Sequence, residues 1–578
     1  MFKIGFAKEE ITYFKENAGF LGYIVPHNIA KGVASPIYCR ATVLDDNQGT
    51  LVAIAVVELA FCTSKLKHEI LLALEEELPG IFTGANLMIP AQHTHSTIGG
   101  YSQFFFHNIL IPGYDHDACM TYTKGIVKAI VAAYYNRQAS SVHIARSSFE
   151  PSSMVAFNRS IKAYNNNPEN TEKVTKKEAA YALDLTMKQL EVTDHNGQLT
   201  GILNWFGCHP TSLSNKNTLI SPDNKGFASA KLEATLNDKN DTEHETVTAF
   251  LQNASGDVTP NFIWEPRKVR KQFKDDFEKM EFNGELQYQK ALEITEQATP
   301  EKQLVSGGLD YTIAYIDMSN VTVNPEFTPN KEEFRRTSNP CLGVSFLQGT
   351  KEGPVMSKPL GMFTRIVNRN IKLFDPFFIK ALEKPDLVHL YNSQYPKSTT
   401  IDAGAGRIMG TQNIKRFFIP SFVDPVIRNL KVIHRQGAYM INKPWLPEIV
   451  AIQLISIGNI CLIGLPCEIT TTAGKRLKQT VLESLKDKGI EEVILCSLTN
   501  DYSGYTTTFE EYQVQAYEGG HTLYGKWTLA AYQTQFKKLC KEFCKPTEER
   551  EDIGHPEIPI LLDEQLWKGT MEVLKAKK

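Results

Sequence analysis

Cysteine is scarce in this chain. Ten cysteines are spread over 578 residues, and none form a C-x-x-C pair. That usage excludes a disulfide-stapled scaffold and a structural zinc knuckle of paired thiolates. Free buried thiols fit it, and they suggest a reducing compartment. Long apolar runs are also missing. The two longest, 51–62 and 449–466, are interrupted by Glu58 and by Gln453, Ser456 and Asn459. No stretch reaches the roughly 20 apolar residues that a membrane-spanning helix needs. The start, Met1-Phe2-Lys3-Ile4-Gly5-Phe6, has no basic stretch followed by an apolar one, so no signal peptide is read and the sequence by itself points to the cytoplasm. Charge of one sign is not in excess: 62 Lys+Arg face 65 Asp+Glu, which removes the footprint of a general nucleic-acid binder. There is no Walker loop, no H-E-x-x-H and no G-x-S-x-G elbow. Gly404-Ala405-Gly406 does not continue into a dinucleotide-binding G-x-G-x-x-G.

What is present is a globular composition, 42% hydrophobic and 22% charged, in a chain long enough for several domains or one large one. A unit recurs: a short apolar run followed by a tight polar cluster. Residues 85–91 precede His93-Thr94-His95, 201–207 precede Cys208-His209-Pro210, and 247–251 precede Gln252–Asp257. Likewise 459–466 precede Cys467-Glu468, and 493–498 precede Thr499-Asn500-Asp501-Tyr502. Such runs read as buried strands, and sites in α/β sheets lie beyond strand ends. Apolar spacing predicts helices over 65–78, 122–135 and 473–485, a hairpin over 449–465 around Gly458-Asn459, and a solvated helix face over 267–279. The expected fold is α/β: one large catalytic domain over residues 1–545 with mixed β-sheets and surrounding helices, a metal site at strand ends, and a C-terminal tail over 546–578.

The clusters carry the chemistry. In an extended His93-Thr94-His95, alternate side chains share a face, so both imidazoles can enter one cavity. Imidazole is a common zinc ligand, although a His-x-His pair also serves local hydrogen bonding. His209 follows another strand, and Glu468 is a carboxylate among apolar neighbours, where burial is costly without a partner. Together they make the set typical of an open catalytic zinc site. In Gly256-Asp257-Val258-Thr259-Pro260, the proline biases Thr259 away from helix, and an exposed turn is expected there. Tyr101, Phe104, Phe105, Phe106, Ile109, Leu110 and Ile111 form either core packing or the wall of an acyl groove.

These motifs, in this order, resemble the neutral ceramidase family of zinc-dependent amidases. The resemblance is carried by Gly5-Phe6-Ala7-Lys8-Glu9-Glu10-Ile11-Thr12, His93-Thr94-His95-Ser96, Asn158-Arg159-Ser160, His209-Pro210-Thr211-Ser212, Ser221-Pro222-Asp223-Asn224-Lys225-Gly226, Tyr505-Thr506-Thr507-Thr508 and Gln515-Ala516-Tyr517-Glu518. It implies one Zn2+ held by His93, His209, Glu468 and Tyr505. It also implies that His95, Arg159 and Tyr517 surround the scissile amide, with Thr259 where the family has serine. The implied substrate is ceramide or a related N-acyl lipid, taken up by peripheral contact with a membrane or micelle. The implied reaction releases a sphingoid base and a fatty acid. The threonine departs from the family pattern; it keeps the hydroxyl but adds a methyl and stiffens χ1. It leaves open a different N-acyl lipid or ester as substrate, or a weakly active lipid-binding relative. Relatives usually continue into an immunoglobulin-like domain, and the residues after 545 are too few for such a sandwich of roughly 100 residues.

Overall fold

The computed structural model describes residues 2–568 except 24, 110, 112, 240–244, 298–301, 354–360, 363–364, 367–384, 409–430 and 432–444. Two mixed β-sheets lie face to face with helices on both outer sides. In the larger sheet the order is Val247–Leu251, Leu199–Trp205, Thr186–Asp194, Gln138–Ser148, Phe2–Glu10, Tyr38–Asp45, Leu51–Val57 and Leu87–Met88, with Gln303–Leu304 paired to Gln138–Ser148. Its two ends are parallel pairs and its middle is antiparallel. The smaller sheet runs Leu309–Asp317, Ile449–Ile457, Ile460–Leu465 and Glu492–Ser497, and the predicted hairpin is its centre.

Strand alternation explains the layering. Along Leu51–Val57, Val52, Ile54 and Val56 face the smaller sheet, where they meet Ile455, Ile457 and Leu462. Ala53, Ala55 and Val57 point the other way, onto Leu66, Ile70, Ile126 and Ile130 of helices Ser64–Glu77 and His116–Tyr135. A period of two can serve two cores at once only if both faces are covered. The smaller sheet does the same: Leu454, Ile463 and Leu465 pack against helices Thr471–Ser484 and Thr528–Phe543. Helices Asp223–Lys239 and Asp276–Thr295 cover Ile202 and Phe250. A buried ion network ties this layer to the sheet: Arg40 Nε lies 2.7 Å from Glu233 and Nη1 2.5 Å from Glu58.

The predicted helices over 65–78, 122–135 and 473–485 are present, with ends that differ by at most six residues. The run 267–279 is not one helix face. It holds the short helix Arg267–Arg270, and a new helix starts at Asp276, because Asp275 caps it by accepting from the Glu278 N–H at 3.0 Å. Past residue 545 the described residues stay against the domain. Arg550 Nη2 sits 2.6 Å from Asp310, and Leu566 and Trp567 are buried. Among the described residues no helix is long and apolar enough to cross a membrane.

Candidate metal centre and cleft

Three members of the site each follow a strand of the two large sheets. His93 follows Leu87–Met88, His209 follows Leu199–Trp205, and Glu468 follows Ile460–Leu465. Glu468–Ile469 then pairs in parallel with Tyr505–Thr506, and that register sets Glu468 beside Tyr505. His93 and His95 meet, with Nε2 atoms 3.2 Å apart, though not as neighbours on a regular strand. His93 has φ +83°, a left-handed conformation uncommon for a residue with a Cβ. Glycine makes room on the other side: a Cβ on Gly22 would lie 2.4 Å from the His95 ring.

The His93, His209 and Glu468 ligand atoms lie within 4.8 Å of one another, and all three residues are buried. His209 Nε2 is 2.7 Å from Glu468 Oε2 and 3.3 Å from the Tyr505 hydroxyl; His93 Nε2 is 3.3 Å from the same Oε2. The chemistry of the donor set fits a cation. His209 donates Nδ1–H to the Val258 carbonyl at 2.8 Å, and His93 Nδ1 faces the Ala60 carbonyl at 2.5 Å. Each ring is thereby fixed in the tautomer that presents an Nε2 lone pair to the centre, as metal-bound histidines are. The electrostatics agree. Burial opposes charge on Glu468, yet charge and hydrogen bonding at His93 and His209 hold the carboxyl well below its ordinary range, a pull that a cation between them would take over. Burial, with Arg159 nearby, lowers His209. Burial and the Glu468 carboxylate push the Tyr505 phenol well above its ordinary value, so a cation at this point is what would favour the phenolate.

The other expected residues converge here as well. Arg159 Nη2 donates to the Tyr505 hydroxyl at 2.9 Å and to the Gly256 carbonyl at 2.8 Å, while Nε reaches Glu518 at 2.8 Å. The Tyr517 ring lies 5.4 Å from the guanidinium carbon. His95 is driven low by burial and by the two neighbouring imidazoles. Thr259 differs from the expected exposed turn. It is fully buried in a two-residue antiparallel bridge with Phe157–Asn158, because Val258 and Thr259 find ladder partners there. Its hydroxyl donates to Glu352.

The cleft has two lobes that share Gly22, His95, Phe106, Phe346, Tyr505 and Tyr517. One lobe adds Tyr23, Arg159, Thr211 and Glu352. The other adds Phe61, Ile109, Ile111 and Leu446, and also holds His93, Glu468, Tyr502, His107 and His521. Of the aromatic wall, only Phe106, Ile109 and Ile111 reach the cleft; Phe104 and Phe105 are packed behind it, and Leu110 lies outside the described residues. Sequence reasoning missed Tyr502, Glu352, His107 and His521 as site residues. Tyr502 did end one of the polar clusters that follow an apolar run, and that was its signal; the other three had none.

The model of the "Neutral/alkaline non-lysosomal ceramidase, N-terminal" family matches residues 2–417 and 426–534. The chain belongs to that family. It is 29% identical to neutral ceramidase B of Dictyostelium discoideum, over 94% of this chain and 73% of the relative. It is 29% identical to the neutral ceramidase of Pseudomonas aeruginosa, over 93% and 71%. Among solved structures, a ceramidase complexed with C2 superposes with a TM-score of 0.77 at 26% identity, covering 96% of this chain and 77% of that one. The crystal structure of the Pseudomonas aeruginosa neutral ceramidase gives 0.75 at 26%, covering 96% and 76%. The mixed α/β fold and membership of a hydrolase family agree with the sequence reading.

Proposed function

We propose that the chain is a zinc-dependent amidohydrolase that cleaves the N-acyl bond of ceramide to a sphingoid base and a fatty acid. The observation that carries this reading is the convergence of His93, His209 and Glu468, with both imidazoles oriented from behind, in a member of a ceramidase family. His93, His209, Glu468 and Tyr505 hold the ion. Bound zinc would supply Lewis acidity toward the amide carbonyl and lower the pKa of a water toward about 7.

The chain's own groups do the rest. Arg159 stays charged, because Tyr505, Glu518 and Glu352 together overcome the burial that opposes its charge. It stands with Tyr517 beside the Tyr505 hydroxyl, where negative charge on the carbonyl oxygen is stabilised. His95, neutral, takes the proton of the attacking water at a ring nitrogen and returns it to the leaving nitrogen. Its Nδ1 has no hydrogen-bond partner among the described residues. The side of the cleft formed by Phe61, Ile109, Ile111 and Leu446 excludes water and takes an alkyl chain.

The test is product identity. Purified protein is incubated with ceramide and a panel of other N-acyl lipids in mixed micelles, with products read by mass spectrometry and metal by elemental analysis. Sphingoid base plus fatty acid, about one zinc per chain and loss of turnover in chelator are expected. Cleavage of other amides only, bound but uncleaved lipid, or full activity without metal would overturn the proposal.

A further inference from the structure

Two carboxylates line the cleft. Glu468 belongs to the metal group; Glu352 does not. The Glu352 side chain is 8% exposed. Its Oε1 accepts from Asn261 Nδ2 at 2.6 Å and from the Thr259 hydroxyl. Thr259 in turn accepts the Asn261 backbone N–H at 3.0 Å, so its one proton and its position are both committed to holding this carboxylate. Oε2 is different. Among the described residues the nearest cation is Arg159 Nη1, 3.7 Å away and beyond hydrogen-bond reach, and the other guanidinium nitrogens are bonded to Glu518, Gly256 and Tyr505. A nearly buried carboxylate oxygen with spare accepting capacity in a cleft wall is suited to a hydrogen-bond donor from a ligand. Thr259 is not part of that wall; Glu352 stands between it and the cleft.

We propose that Glu352 is the specificity residue for the amine half of the substrate, accepting a hydrogen bond at Oε2 from a hydroxyl carried near the amide nitrogen, with Thr259 and Asn261 as its positioning residues. The inference rests on the amide-hydrolase reading above. The division of the cleft supports the orientation. An N-acyl sphingoid lipid has hydroxyls on its amine half and a plain alkyl chain on its acyl half. The lobe with Tyr23, Arg159, Thr211 and Glu352 matches the first, and the lobe with Phe61, Ile109, Ile111 and Leu446 matches the second. An amide whose amine half is plain alkyl would leave Oε2 without a hydrogen bond in a closed site, a mismatch that polar sites reject strongly.

The test compares ceramide with an N-acyl octadecylamine of the same acyl length, which keeps the amide and lacks the hydroxyls. Wild type is expected to favour ceramide by at least about 10-fold in kcat/KM, and Glu352→Ala to bring the ratio within about threefold of one. Thr259→Val, which keeps the shape and removes the donor, should lower the same ratio, and Thr259→Ser should restore it. Binding is read in parallel by calorimetry with sphingosine and octadecylamine. Both carry the same ammonium group, so attraction to the carboxylate cancels in their ratio. A wild-type ratio near one, or a ratio that Glu352→Ala leaves at its wild-type value, overturns the proposal. Failure to cleave ceramide would instead overturn the amidase reading, while the binding ratio still judges Glu352.

Discussion

Glu468 uses its two oxygens differently. Oε2 faces His93 and His209, while Oε1 accepts the Tyr502 hydroxyl at 2.7 Å. Tyr502 itself is held flat against Phe61, ring centroids 4.2 Å apart and 9° between planes. That makes Tyr502 a support for Glu468 in the candidate metal group. Tyr502→Phe keeps the stack and removes the hydrogen bond, so the carboxylate gains freedom to rotate. Metal affinity should fall by about 10- to 100-fold, the usual cost of losing such an outer partner. Competition with a chelator of known affinity would check this, and unchanged affinity would deny Tyr502 the role. At this scale the sequence was informative wherever chemistry and position coincided: His93, His209 and Glu468 each end an apolar run. Glu352 was illegible, because a glutamate between Lys351 and Gly353 looks like any solvated loop. Its meaning comes from Thr259 and Asn261, about ninety positions earlier, and only folding brings them together.

The segment from Tyr101 to Ile111 shows what an element adds to its residues. For three consecutive phenylalanines, composition alone favours core over a groove. The short 3-10 helix Phe105–Asn108 turns them apart. Phe105 goes between Trp445 and Trp567, at centroid distances of 5.4 and 5.5 Å, and Phe104 goes against His107 at 5.6 Å. Phe106 alone lines both lobes of the cleft. Phe105→Ala should therefore destabilise the fold by about 3–5 kcal/mol, as other buried aromatic truncations do. Phe106→Ala should raise KM for long-chain ceramide more than for a short soluble analogue. Denaturant melts and paired kinetics separate the two outcomes, and an equal loss of stability in both variants would make the segment packing throughout. Periodicity could not have sorted them, since three adjacent residues carry no period. The strands were clearer because alternation survives over seven to nine positions, and a run such as Ile449–Ile457 buried on both sides has few other ways to fold.

Across the whole molecule, buried ionisable groups pull stability in opposite directions with pH. Burial pushes Asp501 up to about 7 and Asp223 up to about 6, and it also raises the neighbouring Asp257 and Glu511. A raised carboxyl binds its proton more tightly in the native state, so its contribution is complete below the ordinary carboxyl range and is lost as pH rises through the folded value. Buried His107 and His521 are pushed down to about 3, so the unfolded chain takes up their protons first and stability is lost as pH falls from about 6.5. Between roughly pH 4 and 6.5 the two sets offset each other, and a single melting curve against pH hides both. A difference experiment exposes one of them. Asp501 accepts the Tyr502 N–H at 2.8 Å, a bond that an asparagine oxygen can keep while staying neutral. Relative to Asp501→Asn, wild type should lose stability steadily from pH 4 to 7 and little beyond, by at most roughly 3–4 kcal/mol for a rise of about three pKa units. Urea melts of the two proteins at matched pH values give the difference directly. A constant difference across that range would mean that Asp501 is already ionised at pH 4, and that the fold around the Tyr502 support tolerates a buried charge there.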